Sequence, residues 1–157
     1  MDTVTYPDDQ VVARLGERFV ALRLQIDKHE PVARQFNAVW TPTLLVLDGD
    51  MHVWVRTFGW YPPREFVPWL ALAEGKYRLG RGQTGAAADL FDECAAQWRD
   101  SHSAAEALYW KGVALYKQGD KDGFGKAWYR LRREHPESIW TQKASFLWLG
   151  KRPTPKG

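Results

Sequence analysis

The chain has 157 residues, with 22 Lys and Arg against 19 Asp and Glu, a net charge of +3, and a single cysteine, Cys94. One thiol excludes an internal disulfide framework, a multi-cysteine zinc site and dithiol–disulfide exchange within this chain, and it suits a reducing, cytoplasmic compartment. The longest apolar runs, Thr43 to Leu47 and Phe66 to Ala73, fall far short of the ~20 residues of a membrane span, and the first residues lack a basic-then-apolar signal pattern.

Asp8 and Asp9 followed by Val11, Val12, Leu15 and Phe19 at three-to-four spacing predict a short amphipathic helix with acid in its first turn. From Phe19 to Ile26 the pattern alternates, with Val20, Leu22, Leu24 and Ile26 on one face, which predicts a strand. Pro31 to Phe36 predicts a brief helix with proline in its first turn. Thr43 to Leu47 is closed by Asp48-Gly49-Asp50 and followed by the partly alternating Met51 to Phe58, a β-hairpin whose first strand is expected to be buried on both faces. Gly59 and the Pro62-Pro63 pair end the sheet and open a helix that turns Phe66, Val67, Leu70 and Ala73 inward. From Gly82 to Gly150 no strand-like run occurs. Apolar periodicity predicts helices near Ala86 to Trp98, Ala104 to Lys117, Gly123 to Glu134 and Ile139 to Leu149, antiparallel because their connections are short. Lys151 to Gly157 has no apolar anchor and is expected to fray. The expected fold class is α/β followed by all-α, with a sheet-bearing segment 1–80, a helical segment 81–150 and a tail 151–157.

Over Phe19 to Leu72, the order strand, short helix, Trp40-Thr41-Pro42-Thr43, hairpin with an Asp-Gly tip, glycine and final helix resembles the C-terminal half of thioredoxin-like proteins. Spacing alone fits a cis proline and a trans proline at a plain strand start equally well; the resemblance implies cis at Pro42, with Thr41 presenting its backbone to an extended peptide. It also implies a Cys-x-x-Cys motif on a central strand upstream of the matched segment. That strand would lie between the two matched by Phe19 to Ile26 and Thr43 to Leu47. Without it an incomplete three-stranded sheet is expected, one that a homo-oligomer could complete, because unpaired buried backbone groups cost roughly 1 to 3 kcal/mol each.

Ala104 to Ser138 resembles a tetratricopeptide repeat through Glu106-Ala107-Leu108-Tyr109-Trp110-Lys111-Gly112, Leu115-Tyr116, Gly119-Asp120, Trp128, Leu131 and Pro136. Gly112 would let two helices approach, Leu115 and Tyr116 would face the partner helix, Gly119 would make the turn and Pro136 would end the second helix. Phe124 stands where a small residue is expected, so the pair should pack more loosely or at a shifted angle. A degenerate earlier copy would use Gly82-Gln83 as its turn and Ala87, Phe91 and Cys94 as inward positions. Fewer than three repeats rarely stand alone, so these helices are expected to cap the sheet. Together the two segments look like a bacterial thioredoxin-like protein with a repeat extension.

No catalytic or metal-binding constellation emerges, and no cofactor is expected. Cys94 shares an apolar helical face with Ala87, Leu90 and Phe91, with Asp92 and Glu93 beside it, and reads as a core residue. His29, His52, His102 and His135 sit singly beside turns. Asp48 and Asp50 form a turn too short to supply six to eight oxygens to calcium. The basic residues are dispersed, so nucleic acid and membrane are not expected partners, and most of the nine tryptophans fall at core-compatible positions. The candidate peptide-binding residues are Trp40, Thr41, Pro42, Trp60 and Tyr61, and the candidate repeat-groove residues are Tyr109, Lys111 and Tyr116. The expected function is a redox-silent protein-interaction module for an extended peptide or partner subunit. Its rival is a thiol–disulfide oxidoreductase whose cysteine pair lies upstream of residue 1.

Overall fold

The computed structural model describes residues 1–146. Helix α1 (Asp9–Arg18) starts where the Asp8 carboxylate accepts hydrogen bonds from the amides of Gln10 and Val11 at 3.0 and 3.3 Å, and it drives Val11 fully into the core. The strand expected over residues 19–26 does not form. Val20 and Leu22 are 101% and 80% exposed, and no sheet includes them. Alternation marks a segment able to pair, but a strand exists only beside another whose N–H and C=O groups meet its own, and here none does. Helix α2 (Glu30–Gln35) follows, with Pro31 in its first turn.

The sheet has two antiparallel strands, β1 (Thr43–Leu47) and β2 (Val53–Phe58), in the register Thr43↔Phe58 to Val46↔Val55, with an irregularity between Val46 and Leu47. It is smaller by one strand than expected. The turn is tied by Asp48, whose carboxylate accepts from the Asp50 and His52 amides at 3.1 and 2.9 Å and from Trp54 Nε1 at 2.8 Å. Those donors, Trp54 first, hold the Asp48 carboxyl below its ordinary pKa. Burial of β1 on both faces is also corrected: only Val46 is buried, because β1 has one strand neighbour and the core beside it is built with a single long helix.

That helix is α3 (Pro63–Gly80), which serves two cores at once. Phe66, Val67, Trp69, Leu70 and Ala73 join Val11, Val46 and Val55 in one cluster. Ala71, Leu72 and Leu79 join the second, built with α4 (Thr84–Gln97), α5 (His102–Gln118), α6 (Lys121–Glu134) and α7 (Ile139–Ala144). Sheet and helical array therefore share α3 as a spine, and the second core holds no residue of the sheet, where the helices were expected to cap it.

The second core matches the predicted positions closely. Ala87, Phe91 and Cys94 are fully buried. Gly119 closes α5 in the left-handed region at φ 85°, where glycine carries no steric penalty. A side chain at Gly112 would run into the Trp128 indole, so the missing Cβ sets the α5–α6 approach. Phe124 is accommodated at the edge of this contact, its ring 4.6 Å from Trp128 and 5.4 Å from Tyr116. Six tryptophans, Trp54, Trp69, Trp98, Trp110, Trp128 and Trp140, are buried or half-buried. The end of the helix predicted to Leu149, and the tail, lie outside the described residues.

Candidate functional site

The Thr41–Pro42 peptide bond is cis. Pro42 opens β1, and its carbonyl accepts from the Gly59 amide at 2.9 Å, which brings the residues on either side of the hairpin's open end together. Trp40 lies two residues before this bond and Trp60 one residue after it, 67% and 57% exposed. Val39 and Phe58 beside them are also exposed, and the Thr43 hydroxyl donates to the Trp40 carbonyl. The result is a cluster of large apolar side chains at one end of the sheet, where soluble proteins usually show such groups singly.

The backbone beside the cluster is equally open. In an antiparallel ladder, successive residues turn their main-chain groups alternately toward and away from the partner. The Gly59-to-Pro42 bond directs the Pro42 and Leu44 carbonyls toward β2, so the main-chain groups of Thr43 and Leu45 face outward. They find no main-chain partner among the described residues.

The predicted residues separate into two groups. Trp40, Thr41, Pro42 and Trp60 come together at the open end of the hairpin. Tyr61 is half-buried and committed inward: its ring lies 5.8 Å from Trp69 and 6.3 Å from Phe66, its hydroxyl is 3.0 Å from Thr57 Oγ1, and its carbonyl accepts from Thr5. In the helical array, Tyr109 stacks on Trp128 at 5.1 Å and touches Trp110 and Trp140, while Lys111 pairs with Asp92 at 2.7 Å. Tyr116 is exposed. Sequence reasoning overlooked Val39 and Phe58, whose only signal was apolar character at the ends of the hairpin.

Cys94 is fully buried, its Sγ 3.5 Å from the Pro68 carbonyl, and burial pushes its thiol up to about 12 despite the Arg14 charge nearby, so thiolate is scarce. His29, His52 and His102 are exposed, whereas His135 is half-buried, and no group of three or more His, Cys, Asp or Glu among the described residues is placed to hold a metal ion. No described helix is long and apolar enough to cross a membrane. No protein family, curated protein or solved structure matches the chain.

Proposed function

We propose that the chain is a redox-silent protein-interaction module that binds an extended peptide, or a strand of a partner subunit, along the open edge of β1. The observation that carries this reading is the exposed Trp40–Trp60 pair flanking Pro42 at the start of an unpaired strand edge. Main-chain groups of Thr43 and Leu45 supply sequence-independent pairing, and the two indoles supply anchors. The hairpin, the Thr41–Pro42 turn and α3 are read as part of a thioredoxin-like fold, and the later helices as tetratricopeptide-like pairs. The cis bond, the glycine contact at Gly112 and the left-handed Gly119 support that assignment. Tyr116 is left as the open residue of the proposed repeat groove, and a buried thiol supports the absence of redox chemistry in this chain. A cytoplasmic site of action is part of the proposal.

The test is selection from a random linear peptide library, followed by calorimetry on the selected sequences and sedimentation of the chain alone. Micromolar binding that weakens at least about tenfold in the Trp40→Ala/Trp60→Ala double variant is the expected result, in keeping with indole anchors. Self-association that the same double variant abolishes would identify the partner strand as a second copy. If the wild type stays monomeric and no peptide is selected, or if the double variant behaves as the wild type, the proposal fails.

A further inference from the structure

The segment after α1 has the sequence pattern of a strand and none of a strand's pairing. The chain leaves α1 extended, with Phe19 at φ -138° and ψ 154°. From Val20 to Leu24 no main-chain N–H or C=O has a main-chain partner among the described residues. Val20 and Leu22 stand almost wholly in water and Leu24 is exposed; at alternating positions of an extended chain they share one face. Arg23, on the other face, is paired with Asp2 at 2.8 Å. Single exposed aliphatic side chains are ordinary, but three in series along an unpaired main chain make a surface for association.

The outer edge of β1 is the complementary feature. Thr43 and Leu45 turn their main-chain groups outward and find no main-chain partner among the described residues. Natural edge strands are usually blunted by a charge, a proline or a bulge that turns the edge away. Thr43 to Leu47 has no charge and no proline, and the register irregularity falls at its far end, between Val46 and Leu47. With Arg23 already neutralised, neither side brings an unpaired charge into a contact between them. Segment and edge do not pair within the chain, whose sheet holds only β1 and β2. Any solution of the protein nevertheless contains both at equal concentration, which favours a second copy over an unrelated strand as the occupant.

We propose that residues 20–24 of one copy add to the β1 edge of another as a third strand. The outward main-chain groups of Thr43 and Leu45 pair with the segment, and Val20, Leu22 and Leu24 leave water together. The inference rests on the reading of the β1 edge as a strand-binding site and names the strand.

Sedimentation equilibrium from about 5 to about 500 μM tests it. The wild type should associate reversibly as concentration rises. Val20→Ser/Leu22→Ser impairs the donated strand and Trp40→Ala/Trp60→Ala the receiving end; each alone should associate at least about tenfold more weakly. Mixed, the two variants should form a one-to-one complex and nothing larger, because one intact segment then meets one intact edge. The dilute Val20→Ser/Leu22→Ser monomer should melt as the wild type does, so that lost association is not lost fold. A wild type that stays monomeric to the top of the range while selected peptides bind it overturns this inference and leaves the β1-edge reading standing. A monomer that selects no peptide ends both. Association unchanged in either double variant, or absent from the mixture, would place any contact between copies elsewhere and overturn the pairing of segment with edge.

Discussion

Replacing Glu74 by Gln should cost this fold about 3 kcal/mol. Glu74 is only 6% exposed, and its carboxylate receives five hydrogen bonds: Arg18 Nη2 at 2.6 Å and Nε at 3.1 Å, Arg78 Nη2 at 3.1 Å and Nε at 3.2 Å, and Arg14 Nη2 at 3.3 Å. It is the charged tie between α1 and α3. Glutamine keeps the shape but loses the charge and turns an amide N–H₂ toward guanidinium donors, while Arg14, 14% exposed with a buried unpartnered Nε, keeps only the distant, half-exposed Glu93 carboxylate at 3.9 Å as a counterion. Breaking a buried ion pair from one side costs roughly 3 to 5 kcal/mol; Arg18 and Arg78, 38% and 33% exposed, recover hydration, which places the effect at the lower end. At roughly 2 to 4 °C per kcal/mol, the midpoint falls by about 6 to 12 °C. The acid limb gives a second reading. Burial by itself would raise the Glu74 pKa, but hydrogen bonds from Arg18 and Arg78 and the charges of Arg18 and Arg14 hold it below its ordinary value. A depressed folded pKa means stability that is complete above the unfolded-state pKa of about 4.3 and is lost as pH falls through the folded value. Wild type should therefore weaken more steeply than Glu74→Gln below about pH 4 in urea titrations. A loss under about 1 kcal/mol at neutral pH, or identical acid limbs, would refute this role for the cluster.

Three further outcomes follow from the packing. Gly112→Ala places a methyl group against Trp128 and disturbs the Trp128 Nε1 bond to the Tyr109 carbonyl at 3.0 Å; a loss of about 1 to 3 kcal/mol in urea unfolding is expected, and a neutral result would mean the helices separate freely. Cys94 should resist Ellman's reagent at pH 8 in the folded protein and react after denaturation, whereas rapid native labelling would contradict its burial and its thiol near 12. Val20→Ser/Leu22→Ser should change stability by less than about 0.5 kcal/mol, since both side chains are in water; a cost above about 1 kcal/mol would reveal a packed partner for this segment.

Local order was readable where a single helix or turn decides it. Asp8 announced the start of α1, Gly119 the end of α5, and the inward face of α4 and the sheet-side face of α3 followed from apolar spacing, whereas the second buried face of α3, Ala71, Leu72 and Leu79, did not. What failed was the strand at residues 19–26, because alternation describes one partner of a pairing and the other must come from elsewhere in the chain. The same non-locality hid the Glu74 cluster. Arg78 stands four residues away on the same helix, but Arg14 and Arg18 arrive from α1 through tertiary packing, and Arg14 also supplies the one positive charge that sequence could not place near Cys94. At the candidate site, Trp40 and Trp60 were legible as large side chains beside a proline at a strand start. That Tyr61 instead turns into the core against Trp69 depends on where α3 lies, which the local sequence does not encode.

The most direct test of peptide binding at this edge is amide hydrogen exchange of the chain with and without a selected peptide. Slowed exchange at Thr43 and Leu45, the outward-facing amides of β1, with Leu44 and Val46 unchanged, is the result expected of a strand added there. Protection that appears only elsewhere, with Thr43 and Leu45 exchanging as fast as in the free chain, would contradict it.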